Sequence, residues 1–84
     1  MATTLSSTQR ILSEDVLTIT EARSELFQLT GKRPDKSTMG RWIHRGVGRP
    51  RVRLEAIRLG HANLYTSRQA LTRFIEARTA QTIG

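Results

Sequence analysis

The residues with the clearest chemistry lie between Asp35 and Gly46, in the sequence DKSTMGRWIHRG. With about 100° between successive helical residues, Met39, Trp42 and Ile43 fall on one side of a helix. The opposite side carries short polar and basic side chains, which are Ser37, Arg41, His44 and Arg45. We predict a helix from about Lys36 to Arg45, capped by Asp35 and stopped by Gly46, whose polar face binds nucleic acid.

The basic side chains of this helix are suited to contacts with DNA. A bidentate contact of Arg with guanine is the commonest specific contact in the major groove, and we expect Arg41 to bind a base or a phosphate. Arg45 lies near the helix end, whereas base contacts usually come from the N-terminal part, so we assign it to phosphate. Further candidates on this helix are Lys36, Ser37, Thr38 and His44. For Thr38 a half-buried position in the helix is an open alternative.

Gly40 is an unexpected residue in the middle of this helix. Glycine in a helix interior costs about 1 kcal/mol relative to alanine, so helix stability does not explain it. The missing side chain could let the backbone approach DNA, could allow tight contact with the preceding helix, or could simply be tolerated. These three interpretations stay open at the level of sequence.

Positive charge is concentrated in one part of the chain. The 84 residues include 14 Lys and Arg against 7 Asp and Glu, a net charge of +7. Only two acidic residues lie between Lys32 and Arg58, against nine basic ones: Lys32, Arg33, Lys36, Arg41, Arg45, Arg49, Arg51, Arg53 and Arg58. Such a segment is typical of polyanion binders, because cations that contact phosphates release condensed counterions.

The composition argues against several other classes of protein. A chain of this length makes one small domain with little room for a catalytic pocket, and no set of catalytic side chains is evident, so we do not expect an enzyme. With no cysteine and two histidines, we expect no metal site, cofactor or small-molecule effector. The sequence shows neither a membrane span nor a secretory signal, which predicts a cytoplasmic protein, nucleoid-associated when bound to DNA.

Two helices are predicted beside the basic one. Residues 1–13 are expected to be a flexible lead-in. A first helix follows, with Thr20 as the preferred N-cap and Thr18 as the rival, and with Ala22, Leu26 and Leu29 on its apolar face. Thr66 and Gln69 have capping-box spacing and predict a last helix. Its apolar face is Ala70, Leu71, Phe74 and Ile75, and residues 80–84 are expected to fray.

The segment between the basic helix and the last helix alternates in the manner of strands. We predict a β-hairpin of about Arg53 to Leu59 and Ala62 to Thr66, turning at Gly60. Candidate DNA contacts in the connector before the basic helix and in this hairpin region are Lys32, Arg33, Arg49, Arg51, Arg53, Arg58, His61 and Asn63. Arg53 or Arg58 could instead pair with Glu55 and contribute nothing to binding.

The predicted order of helix, basic helix, β-hairpin and helix is that of a winged helix-turn-helix domain, an α+β fold that is mostly α. The segments TITEA (Thr18 to Ala22) and STMGRWIHRGV (Ser37 to Val47) carry a more specific likeness. They resemble the excisionase-like and MerR-like family of small winged helix DNA-binding domains. The resemblance implies a domain over residues 14–79 that binds double-stranded DNA, with the second helix in the major groove and the hairpin as a wing on backbone or minor groove.

The same resemblance implies an architectural factor in recombination or a small transcriptional regulator. A recombinase or a second copy on DNA would then be a further partner. Two other functions remain open: a protein-interaction module whose basic face docks an acidic partner, and an RNA or single-strand binder. In the last case Trp42 would stack on bases, although its spacing favours a core position.

Overall fold

The structure, a computed structural model, describes residues 6–60 and 63–83. These residues form four helices and one three-stranded antiparallel sheet, an α+β arrangement that is mostly helical. In chain order the elements are α1 (Ser7–Leu12), β1 (Val16–Thr18), α2 (Ile19–Thr30), α3 (Lys36–His44), β2 (Ile57–Arg58), β3 (Leu64–Ser67) and α4 (Arg68–Ile83). Within this part of the chain no helix is long and apolar enough to cross a membrane.

β3 is the central strand of the sheet, whose order is β1-β3-β2. Leu17 of β1 is opposite Thr66, and Ile57 of β2 is opposite Tyr65. The predicted hairpin is therefore present but shorter, because the segment before Ile57 makes other contacts. The Leu54 amide donates to the Trp42 carbonyl at 3.0 Å, and the Thr66 hydroxyl donates to the Glu55 carbonyl at 2.7 Å.

The core lies where α2, α3 and α4 meet the sheet and the segment before β2. Its buried residues are Ile11, Leu17, Ala22, Leu26, Met39, Leu54, Ile57, Ala70, Leu71 and Phe74. Trp42 packs against this core, with its ring centroid 5.0 Å from that of Phe74, as the core interpretation of its spacing requires. The prediction for Leu29 is wrong: its side chain is 63% exposed, because the last turn of α2 extends past the core to the connector.

Helix α1 lies in a segment for which a flexible lead-in was expected. Ser6 and Gln9 form a capping box at its start, and Ile11 is completely buried. The structure thus differs from the expectation for residues 6–13, because the buried Ile11 side chain and the ion pair of Arg10 with Glu55 hold this short helix against the domain. Residues 1–5 lie outside the described part of the chain.

At the first residues of α2 and α4, the structure has different N-caps from those that the sequence predicts. Thr18, not Thr20, caps α2, through a reciprocal capping box with Glu21. Ser67, not Thr66, caps α4, since its hydroxyl accepts from the Ala70 amide at 2.8 Å. At the other end, α4 continues to Ile83, past the predicted boundary at residue 79.

Candidate nucleic-acid interface

Helix α3 has the bounds and the two faces that its sequence predicts. The Asp35 carboxylate accepts from the Thr38 amide at 2.7 Å, and this hydrogen bond lowers the pKa of Asp35. Met39 is fully buried and anchors the inner face. Thr38 is half-buried, which agrees with the alternative prediction of a half-buried helix position for this residue. The outer face is exposed and carries Lys36, Ser37, Arg41, His44 and Arg45.

A tight loop follows α3 and brings two more arginines beside it. The amides and carbonyls of Val47 and Val52 hydrogen-bond to each other at 2.9 Å and 2.8 Å, which closes the loop. Gly46 begins it with a φ of +80°, a left-handed conformation that glycine adopts without strain. Four arginines of α3 and the loop line one open concavity of about 450 Å³: Arg41, Arg45, Arg49 and Arg51. We call this set the arginine cradle.

Helix α4 holds the loop of the cradle in place. The Gln81 side-chain amide donates to the Pro50 carbonyl, and Gly48 lies so close to Gln81 and Arg78 that a Cβ there would clash with both side chains. The cradle is therefore supported from the end of α4, the region that was expected to fray.

A second concavity, of about 370 Å³, lies on another side of α3. Lys36 and Gly40 line it from α3, and Asn63 and Tyr65 line it from the β2-β3 hairpin. We call it the hairpin groove. A Cβ added at Gly40 would meet no atom of residues 6–60 and 63–83 within 4 Å, so the interpretation of Gly40 as a tight contact with the preceding helix is wrong.

The positive charge around the cradle is not neutralised within the described residues. Acidic side chains pair with arginines of α1 and α4: Glu55 with Arg10, Glu14 and Glu55 with Arg73, and Asp15 and Glu25 with Arg68. Glu21 and Asp35 cap helices. In residues 6–60 and 63–83 no carboxylate lies within ion-pair distance of Arg41, Arg45, Arg49, Arg51 or Arg53. The proposed pairing of Arg53 with Glu55 is therefore wrong.

The other predicted contact residues are dispersed. Arg53 and Arg58 are exposed but line neither the cradle nor the hairpin groove. Lys32 and Arg33 lie in the connector after α2, where the Arg33 guanidinium sits 5.3 Å from the centre of the Phe27 ring. His61 lies outside the described residues. The structure thus brings together the arginines of α3 and the following loop, and it separates the connector from them.

Sequence reasoning missed part of the surface around α3. Thr18, Ile19 and Thr20 at the start of α2 line the hairpin groove opposite Gly40, and Gln81 supports the cradle from α4. These residues come from distant segments, so no local pattern marks them. The start of α2 lies near the hairpin because β1 pairs with β3, and no sequence pattern predicted this strand pairing.

Residues 24–79 match the model of a family described as a protein of unknown function, DUF1580. The chain belongs to this DUF1580 family. No curated protein and no solved structure matched the chain. The matched residues contain α3, the four arginines of the cradle and the β2-β3 hairpin. Thr18, Ile19 and Thr20 of the hairpin groove and Gln81, which supports the cradle, lie outside the matched range.

Proposed function

We propose that this member of the DUF1580 family binds double-stranded DNA as a winged helix domain. In this assignment α3 enters the major groove, and the β2-β3 hairpin is the wing beside it. The order of elements, with a capped basic helix followed by a hairpin and a closing helix, supports the winged helix assignment. The resemblance of the TITEA and STMGRWIHRGV segments to excisionase-like and MerR-like domains supports it further.

The observation that carries the proposal is the uncompensated charge of the arginine cradle. An exposed arginine with no carboxylate within ion-pair distance is available to contact a phosphate, and four such arginines of the described residues surround one concavity at the end of α3. Arg41 is the one that also lies close enough to a carboxylate, that of Asp35, to help lower its pKa. Arginine suits this task because its planar guanidinium binds phosphate oxygens in a bidentate manner. A general solubilising surface would spread the charge rather than gather it on one helix and its loop.

The proposal assigns different roles to different parts of the surface. Arg41 is in the middle of the exposed face of α3 and contacts a base edge. Arg45, Arg49 and Arg51 surround it toward the helix end and contact the flanking phosphates. Lys36 and Ser37 lie at the N-terminal end of α3, where base and backbone contacts of recognition helices concentrate.

The biological task within this class is either an architectural factor in recombination or a small transcriptional regulator. In the first case the protein would act beside a recombinase, and in both cases a second copy could bind an adjacent site. Selection of bound duplexes from a random pool distinguishes single sites from repeated half-sites, because the half-site spacing reflects the stoichiometry.

The salt dependence of binding tests DNA recognition directly. The dissociation constant for a short random-sequence duplex is measured by fluorescence anisotropy between about 50 and 200 mM salt. The three phosphate contacts assigned to Arg45, Arg49 and Arg51 predict a slope of about −2.7 for log K against log salt. A flat slope would contradict the proposal, and tighter binding to the separated strands would favour a single-strand binder instead.

A matched pair of variants controls for the loss of charge. Arg45→Gln removes an arginine with no carboxylate partner, whereas Arg68→Gln removes one that already pairs with Glu25 at 2.7 Å. We expect Arg45→Gln to weaken binding and to reduce the slope by about 1, and Arg68→Gln to leave the slope unchanged. Equal effects of the two variants would mean that net charge, and not the cradle, drives binding.

A further inference from the structure

An apolar concavity lies on a different side of α3 from its basic face. It has a volume of about 410 Å³ and is walled by Leu26 of α2, Trp42 of α3, and Phe74 and Ile75 of α4. Its size is within the range of ligand pockets, about 300–1,000 Å³, so it can hold a large apolar side chain. We call it the apolar groove.

Two cations form the rim of the apolar groove. Lys32 and Arg33 line it from the connector, together with Thr30 and Pro34. Both cations are exposed, and no carboxylate of residues 6–60 and 63–83 lies within ion-pair distance of either. Arg33 also covers one face of Phe27, which is itself 49% exposed. An apolar wall with an unpaired basic rim is complementary to an apolar side chain flanked by carboxylates.

The position of the groove leaves it accessible when α3 contacts DNA. Trp42 lies about 160° around the helix from His44, about 100° from Arg41 and about 60° from Arg45. The apolar groove and the arginine cradle nevertheless have no lining residue in common. The Arg23 guanidinium donates to the Pro34 carbonyl at 2.8 Å and fixes the connector to α2, so the rim is held in place without a ligand. The groove is thus a separate surface that is already formed.

We propose that the apolar groove docks a segment of a partner protein in which acidic residues flank one large apolar side chain. A second copy of this chain is a poor occupant, because its carboxylates are engaged. Four of them pair with arginines and two cap helices, which leaves Glu76. The proposal does not rest on DNA binding, and it assigns Lys32 and Arg33 to a protein partner instead of to phosphate.

The test is selection of binding peptides from a displayed library of random 12-residue sequences on the full chain. We expect the enriched peptides to contain two or more Asp or Glu residues beside a large apolar residue. Trp42 is the only tryptophan of the chain, so binding of a synthetic enriched peptide should change its fluorescence. Enriched peptides without carboxylates, no enrichment, or an unchanged Trp42 signal would each overturn the proposal.

Matched charge reversals distinguish docking in the groove from general attraction to a basic protein. The double variant Lys32→Glu with Arg33→Glu changes the rim, and Arg49→Glu with Arg51→Glu makes the same change of charge in the cradle. We expect the rim variant to weaken peptide binding by tenfold or more, because it reverses the charges beside the bound peptide. The cradle variant should weaken binding by less than about threefold, because it removes only long-range attraction that salt screens. Equal losses, or displacement of the peptide by duplex DNA, would overturn the proposal.

Discussion

The guanidinium of Arg73 donates two hydrogen bonds to the carboxylate of Glu14, at 2.6 Å and 3.1 Å. Arg73 also donates to Glu55 at 2.8 Å, and Glu55 accepts from Arg10 at 3.1 Å. The Glu14 carboxylate accepts in addition from the Ser67 hydroxyl at 2.7 Å. This network joins α1, α4 and the sheet to the segment that leads from the arginine cradle to β2. Its ion pairs therefore help to hold the segment between the cradle and β2 in place against α1 and α4.

We predict that Arg73→Met lowers the free energy of unfolding by about 1–3 kcal/mol, because two partly buried carboxylates lose a charged donor. Urea unfolding followed by Trp42 fluorescence measures the change. Arg68→Met is the matched control, since Arg68 is more exposed and its pairs with Asp15 and Glu25 contribute about 0–1 kcal/mol. Equal losses in the two variants would show that the network has no special role.

The same network predicts a loss of stability in acid. The hydrogen bonds from Arg73 hold the pKa of Glu14 below its ordinary value. A carboxyl with a lowered pKa in the folded state stabilises the protein fully above its unfolded pKa, about 4.3 for Glu, and loses this contribution as the pH falls toward the folded pKa. Unfolding free energies measured between about pH 2 and pH 6 should fall more steeply in the native protein than in Arg73→Met. Parallel curves would contradict this assignment.

The same substitution at two glycines should have opposite effects on stability. In the described part of the chain, an added Cβ at Gly40 or Gly31 would meet no neighbouring side chain or loop within 4 Å, but Gly31 caps α2 with a φ of +77°. We predict that Gly40→Ala raises the free energy of unfolding by about 0.5–1 kcal/mol, as expected inside a helix. Gly31→Ala should lower it by about 1–2 kcal/mol, the cost of the left-handed conformation for alanine. Thermal unfolding of both variants provides the comparison.

Gly40→Ala also tests what the glycine does for function. If the backbone of α3 approaches DNA at the hairpin groove, the more stable variant should bind duplex DNA more weakly. Unchanged affinity would show that Gly40 is merely tolerated, since an added methyl group is not in conflict with the protein itself.

Helix α1 is held to the domain by the buried side chain of Ile11 and by the ion pair of Arg10 with Glu55, and we expect Ile11 to contribute most of its stability. Ile11 is completely buried, whereas the neighbouring Leu12 is 57% exposed. We predict a loss of about 2–4 kcal/mol for Ile11→Ala and a change within about 0.5 kcal/mol for Leu12→Ala. Chemical unfolding of the two variants measures the difference. Two neutral substitutions would show that residues 6–13 behave as a flexible lead-in after all.

Arg41 and Arg51 should differ in what they contribute to DNA binding. We predict that Arg41→Ala costs about 1–3 kcal/mol at its preferred sites and reduces discrimination among them, because a base contact is lost. Arg51→Ala should weaken all sites alike and lower the salt slope by about 1, because a phosphate contact is lost. Affinities of both variants for selected and random duplexes check these roles. Small, equal effects would contradict the assignment.

Much of α3 was predictable because its signals are local. Asp35 caps the helix three residues before its bonding partner Thr38, and Met39, Trp42 and Ile43 share one face through helical spacing. The positive charge of the candidate surface was also predictable, because basic residues can be counted along the chain. The shape of the cradle was not predictable, because it depends on the loop closed by Val47 and Val52 and on the support of that loop by Gln81.

Thr66 shows why a correct local pattern can still mislead. Its spacing to Gln69 fits a capping box, but its hydroxyl donates to the Glu55 carbonyl and the Gln69 side chain bonds to Asp15. The cap is Ser67, one residue later. Three hydrogen bonds to residues distant in the chain thus outweigh one local arrangement, and none of them could be seen from the spacing of residues.

The amino-acid sequence by itself determined the order of α2, α3, the β-hairpin and α4, the bounds of α3 and the accumulation of positive charge between Lys32 and Arg58. These properties follow from capping, periodicity and composition, which act over a few residues. The tertiary structure decided which charges remain uncompensated, because Glu55 pairs with Arg10 and Arg73, and Arg53 has no carboxylate within ion-pair distance among residues 6–60 and 63–83. It also decided that α1 belongs to the domain and that the connector faces an apolar groove. Those outcomes depend on contacts between segments far apart in the chain, which no local pattern encodes.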